Sequence, residues 1–204
     1  EVKCASMADA FIDESWLSAT SEGDYFLAVA SVFTTHRRGL QLAARRIKRA
    51  PKLKAHSELK ASVTPPELIK KFLRMLADDP ALLITGAIWR GKREQIEDHE
   101  SLYQQVVGRC AWQVVKEHPR LDLFIDKRYT NSDQQRDLEG AIREAIATVP
   151  GNIVRVFQED SRVVTELAAP DFVGWALLQH YGKGNDEFYR LIRSKVDQFD
   201  DLSK

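Results

Sequence analysis

A chain of 204 residues is long enough to bury a substantial core within one domain. With 44% hydrophobic and 29% charged residues, it is neither disordered nor low in complexity. Thirty Lys and Arg balance thirty Asp and Glu, so net charge neither requires nor excludes a polyanionic partner.

The two cysteines, Cys4 and Cys110, form no CxxC pair, which excludes a disulfide scaffold and points to a reducing, cytoplasmic setting. No run of about 18 apolar residues offers a membrane span, and the N-terminus lacks the pattern of a signal peptide. Residues 1–6 read as an extension or remnant ahead of a natural start at Met7, with 7–204 as a single domain.

In chain order, Ala8–Ser15 (ADAFIDES) alternates as a strand, with Phe11, Asp13 and Ser15 on one face. The turn signal Thr20–Asp24 leads to a second strand, Tyr25–Phe33, and the two suit a hairpin. Gly39–Ala50 predicts a helix with Leu40, Ala43, Ala44 and Ile47 on its apolar side. Pro51–Ser62 reads as irregular. Thr64-Pro-Pro-Glu67 has capping-box spacing and starts a helix that ends at Asp78-Asp-Pro80.

Ala81–Trp89 predicts a third strand, Glu100–His118 a long helix and Leu121–Asp126 a fourth strand. Ser132, with Gln135, predicts the cap of a helix that Pro150-Gly151 breaks. Ile153–Phe157 predicts a fifth strand, followed by helices from Pro170 to Tyr181 and from Asp186 to Val196. That alternation predicts an α/β mixed sheet with helices on both faces.

Asp13 and Asp126 close matching segments, AFID and LFID, each leading apolar residues into an aspartate. An aspartate within an apolar strand is costly to desolvate without a counter-ion. Two such strands side by side would set up a like-charge pair that either shares a proton or binds metal. Glu14 points to the opposite face and is a secondary candidate. Glu58, Asp160 and Asp171 also read as an ion-paired surface acid, a turn cap and a first-turn helix acid. Between Arg37 and Lys60 lie nine Lys or Arg and one acid, Glu58. No HxxxH, HExxH, GxSxG, GxGxxG or P-loop pattern occurs, which argues against zinc, nucleotide-loop and serine-hydrolase chemistry.

Phe11–Ser15, Glu58-Leu59-Lys60, Leu123–Asp126 and Asp160-Ser161 followed by Pro170–Ala176 carry a resemblance that spans nearly the whole chain. On these motifs the chain resembles a bacterial family of unknown function named for its FIDES start, which is itself similar to ribonuclease H-like nucleases. Trp16 stands where that family has glycine, and Pro170 directly precedes Asp171, where its restriction of the backbone is expected to displace Asp171 from the family position. The resemblance implies a ribonuclease H-like sheet of about five strands. It also implies Asp13, Glu58, Asp126 and Asp171 as catalytic acids, with Asp160 as a further metal ligand.

Hard carboxylates select Mg²⁺ or Mn²⁺. Two such ions about 4 Å apart, bridged by Asp13, suit in-line cleavage of a phosphodiester. Arg45, Arg46 and Arg49, with Lys60 and Lys127, are the expected nucleic-acid contacts, or else a solvated basic face. The expectation is therefore a metal-dependent nuclease acting on DNA or RNA. The alternatives are a non-catalytic nucleic-acid or protein-binding module on the same fold, or a metal-dependent phosphatase. The aromatic C-terminal third is compatible with a homodimer or simply with core packing.

Overall fold

The computed structural model describes residues 7–18, 24–53 and 55–203. Residues 1–6, the expected turn at 20–23 and Lys54 lie outside them. Six strands form one sheet in the order β5-β4-β1-β2-β3-β6. They are β1 (Ala8–Ser18), β2 (Asp24–Thr34), β3 (Leu82–Lys92), β4 (Arg120–Asp126), β5 (Ile153–Glu159) and β6 (Val196–Asp201).

β1, β2 and β3 are an antiparallel meander. β4 runs parallel to β1, β5 parallel to β4, and β6 parallel to β3. Of the strand residues in β2, Tyr25 through Thr34 are all buried, because this central strand is covered on both faces.

Alternation divides the core in two. Phe11, Ala28, Val32, Ile84 and Phe124 face one side, against α1 (Arg37–Lys48), α2 (Pro66–Asp78) and α5 (Ala168–Leu177). Ala10, Ile12, Val29, Leu123 and Ile125 face the other, against α3 (His99–Glu117) and α4 (Ser132–Ile146). Helices therefore cover both faces.

Three local expectations are corrected. The C-terminal helix shrinks to α6 (Tyr189–Ile192) and a 3₁₀ turn, and Val196 opens a sixth strand. VDQFDD has little of the β-branched content that marks strands, so its acids read as a solvated tail. In the fold two of them are paired: Arg109 reaches Asp200 at 2.5 Å and Arg90 reaches Asp201 at 3.1 Å.

Thr64 does not cap α2. Its hydroxyl donates instead to the Lys60 carbonyl at 2.7 Å, and Pro65 flanks the helix. α4 is capped by Asn131, not Ser132. Asn131 has extended backbone and its side-chain oxygen accepts from Asp133 N at 2.7 Å, whereas Ser132 already lies in the first turn. Asn131→Ala should therefore cost about 1 kcal/mol, read as a lowered urea midpoint with unchanged m-value.

Candidate acidic site beside the basic helix

β1 and β4 run in parallel register, with Ala10 opposite Leu123, Phe11 opposite Phe124 and Ile12 opposite Ile125. The repeated Phe-Ile-Asp pattern thus delivers Asp13 and Asp126 one step beyond the last registered pair. Phe11 and Phe124 stack at 5.2 Å beneath them. The Arg37 guanidinium lies 4.4 Å from the Phe124 ring and is held by Glu166 at 2.7 Å and Asp9 at 3.5 Å, which closes the floor of the site.

The segment before α2 supplies the next groups. Leu59 is buried in the core, so its neighbours Glu58 and Lys60 turn towards the strand ends. The Lys60 ammonium lies 2.9 Å from Asp126 Oδ2, 3.3 Å from Asp13 Oδ2 and 3.4 Å from Glu58 Oε1. Asp171, in the first turn of α5, accepts a hydrogen bond from the Ala61 backbone N–H at 2.7 Å.

α5 can lie this close to β1 because residue 174 is glycine. A Cβ there would come within 3.0 Å of Ser15 Oγ. Pro170 falls in the same first helical turn, where its missing N–H costs no helical bond, so Asp171 is not displaced from the cluster. Trp16 also lies clear of the acids: it packs on the opposite face, against Tyr25 and Tyr103.

Asp13 is only 4% exposed. Burial pushes its carboxyl well above the usual carboxylate range. Glu14, Asp171 and Asp126 push the same way, and Lys60 opposes them. Asp171 is half-buried and rises to about 6, mainly through burial, with Lys60 and the Ala61 N–H pulling back and Glu58 and Asp126 adding to the rise. Burial would pull Lys60 down, but Asp13, Asp171 and Asp126 outweigh it, so the ammonium stays charged.

The structure thus brings Asp13, Glu58, Asp126 and Asp171 around Lys60. Ser161 braces two of them: its N–H donates to Asp126 Oδ1 at 3.2 Å and its hydroxyl donates to Glu58. Asp160 beside it is turned to Arg162, which bonds it through side chain and backbone and holds its carboxyl at about 2. Glu14 lies on the far face, with Tyr103 and Arg128 at 3.3 and 3.5 Å. Lys127 closes β4, its N–H shared between Asp126 Oδ1 and the Glu159 carbonyl.

α1 buries Leu40, Ala44 and Ile47 and exposes Arg45, Arg46 and Arg49, which line a surface groove with Arg38 and Leu42. A small pocket lined by Arg45, Lys48, Leu59, Ser161 and Thr165 lies between that helix and the neighbours of Glu58 and Asp160. Lys48 donates to the Ser57 carbonyl and ties the two segments together.

Among the described residues, no three Asp, Glu, His or Cys side chains are disposed to hold a metal ion as they stand. An ammonium already lies between the acids. The donor set nevertheless suits a hard divalent ion in kind and charge: four carboxylates, one of them buried, with one resident cation.

No protein-family model and no curated protein matches the chain. A solved structure, the PCNA:RNase HII complex from Archaeoglobus fulgidus, is similar to it. The TM-score is 0.51 at 14% identity, over 92% of this chain and 77% of the matched chain. At that identity the likeness concerns the fold. The sheet order and the two helical layers are those of a ribonuclease H-like α/β protein. Among the described residues, no helix is long and apolar enough to cross a membrane.

Proposed function

We propose that this chain is a divalent-metal-dependent nuclease that hydrolyses phosphodiester bonds of DNA or RNA. One observation carries the proposal: Asp13, Glu58 and Asp126, from three separate segments, meet at a single cation position, with Asp171 hydrogen-bonded one residue away. Desolvating so many like charges at one spot is costly and serves no packing purpose, so the arrangement argues for cation chemistry. The order of motifs, from FIDES onward, accords with membership of the FIDES-start bacterial family, and the buried free Cys110 suits a cytoplasmic setting.

Asp13, Asp126 and Asp171 would hold Mg²⁺ or Mn²⁺, with Glu58 completing the set. Such an ion, when bound, supplies an activated water and neutralises charge on the phosphodiester. The protein supplies orientation. Asp13 Oδ1 is fixed by the Glu14 N–H at 2.8 Å, and Asp126 Oδ1 by the N–H groups of Lys127 and Ser161. Arg45, Arg46 and Arg49 would hold the phosphate backbone without reading sequence. Replacing these three with alanine should weaken binding across all sequences and reduce the salt slope by about one unit per arginine. A filter-binding series in KCl checks this.

The deciding experiment is cleavage of labelled single- and double-stranded DNA and RNA with and without Mg²⁺. Metal-dependent fragments that vanish in Asp126→Asn support the nuclease. Lys60 seated among the acids favours one alternative, a non-catalytic nucleic-acid-binding module. Salt-sensitive binding without any cleavage would select it. Rapid turnover of a phosphomonoester without nucleic-acid cleavage would select a phosphatase instead.

A further inference from the structure

A lysine kept for phosphate contact would hold its ammonium outward to solvent. Lys60 does the opposite. Its backbone is extended, with Leu59 buried on the other side, and its ammonium is directed among three carboxylates from different segments. The peptide that follows it is also fixed at both of its polar atoms. The Thr64 hydroxyl donates to the Lys60 carbonyl, and the next N–H, from Ala61, is given to Asp171, each at 2.7 Å. Lys60 is thus tethered at backbone as well as at its head group.

The carboxylate oxygens are unevenly used. Asp13 Oδ2, Asp126 Oδ2 and Glu58 Oε1 face the ammonium. Asp13 Oδ1 and Asp126 Oδ1 are taken by backbone N–H groups. Among the described residues, Asp171 Oδ1 and Glu58 Oε2 accept no hydrogen bond, so two carboxylate oxygens stay open to a further cation. Formal charge shows how the lysine substitutes for an ion: with all four carboxylates ionised, the ammonium leaves three negative charges, and one divalent ion reduces these to one. Without the ammonium, two divalent ions would balance the four carboxylates.

We propose that Lys60 permanently fills one of the two cation positions of the acid cluster, so that the site takes a single divalent ion. This rests on the metal-site proposal above and departs from the two-ion arrangement expected from the sequence. A tethered ammonium relieves the Asp13–Asp126 repulsion at all metal concentrations.

The test counts ions, independently of cleavage. Calorimetric titration with Mn²⁺, with free Mn²⁺ read by electron paramagnetic resonance, should give one ion per wild-type chain and one for Lys60→Arg. Lys60→Met should give two, with circular dichroism checking that it is folded. Two ions on the wild type or on Lys60→Arg overturn the assignment, as does one ion on a folded Lys60→Met. Should the methionine variant not fold, Lys60→Gln is read by the same criterion, and the wild-type and arginine counts remain decisive. A different result marks failure of the metal site itself: no saturable Mn²⁺ binding to wild type or to Lys60→Met, with Asp126→Asn titrating identically. That would overturn both proposals.

Discussion

Asp13→Asn should abolish metal-dependent cleavage, by about 10³-fold or more, equivalent to ~4 kcal/mol of transition-state stabilisation, while making the metal-free protein more stable. The two effects share a cause. Asp13 is the most deeply buried of the four acids, and burial with three like-charged neighbours opposes its ionisation. Asparagine keeps the side-chain oxygen that accepts from the Glu14 N–H and removes the charge. Lys60 keeps Asp126 and Glu58 as partners. In chelator the variant should gain about 1 kcal/mol, or roughly 2–4 °C in Tm for a chain of this size. It should also lose the Tm rise that Mg²⁺ gives the wild type. Wild-type cleavage by Asp13→Asn would remove Asp13 from the site, and a large loss of metal-free stability would show it to be a structural ion-pair partner instead.

Much of this was legible in the sequence, and what was not has identifiable causes. The strands on either side of the site declared themselves because AFID and LFID carry one pattern on two parallel strands, and side-chain alternation then fixes where both aspartates point. Glu58 and Lys60 lie in a segment with no periodicity. What aims them is Leu59, recognisable as an anchor only once the core around it exists. Lys60 read as a phosphate contact because sequence gives a charge without its direction.

Ser161 was hidden for a similar reason: a serine after an aspartate reads as a turn, and its bonds to Glu58 and Asp126 cross 103 and 35 residues of chain. The sixth strand was missed because its acids outweigh its apolar residues. The Arg109, Gln113 and Arg90 partners that make it tolerable as an edge are long-range.

Measured in chelator, stability should fall as pH rises from about 4 to about 6, contrary to the acid lability usual for ion-paired carboxylates. Asp171 is one of the groups responsible. Its carboxyl is raised to about 6 in the folded chain, chiefly by burial, against about 3.9 when unfolded. The folded state therefore holds the proton more tightly, and between those two values it pays to keep a charge-free Asp171 that the unfolded chain has already ionised. The linked loss is about 3 kcal/mol, complete once pH has risen through the folded value of about 6.

Asp13 and Asp9, both raised by burial, act in the same direction. His118 opposes them. Burial depresses its value below 6.5, so its contribution is lost as pH falls through that region. Asp171→Asn isolates its share: urea midpoints between pH 4.5 and 7.5 should decline in the wild type and decline less steeply in the variant, and equal slopes would refute the assignment. Saturating Mn²⁺ should reverse the wild-type trend, because a cation binds the ionised carboxylates and displaces the proton. The cluster is then least stable at neutral pH in the condition where it lacks a divalent ion, and that is the pH range in which such an ion would bind most strongly.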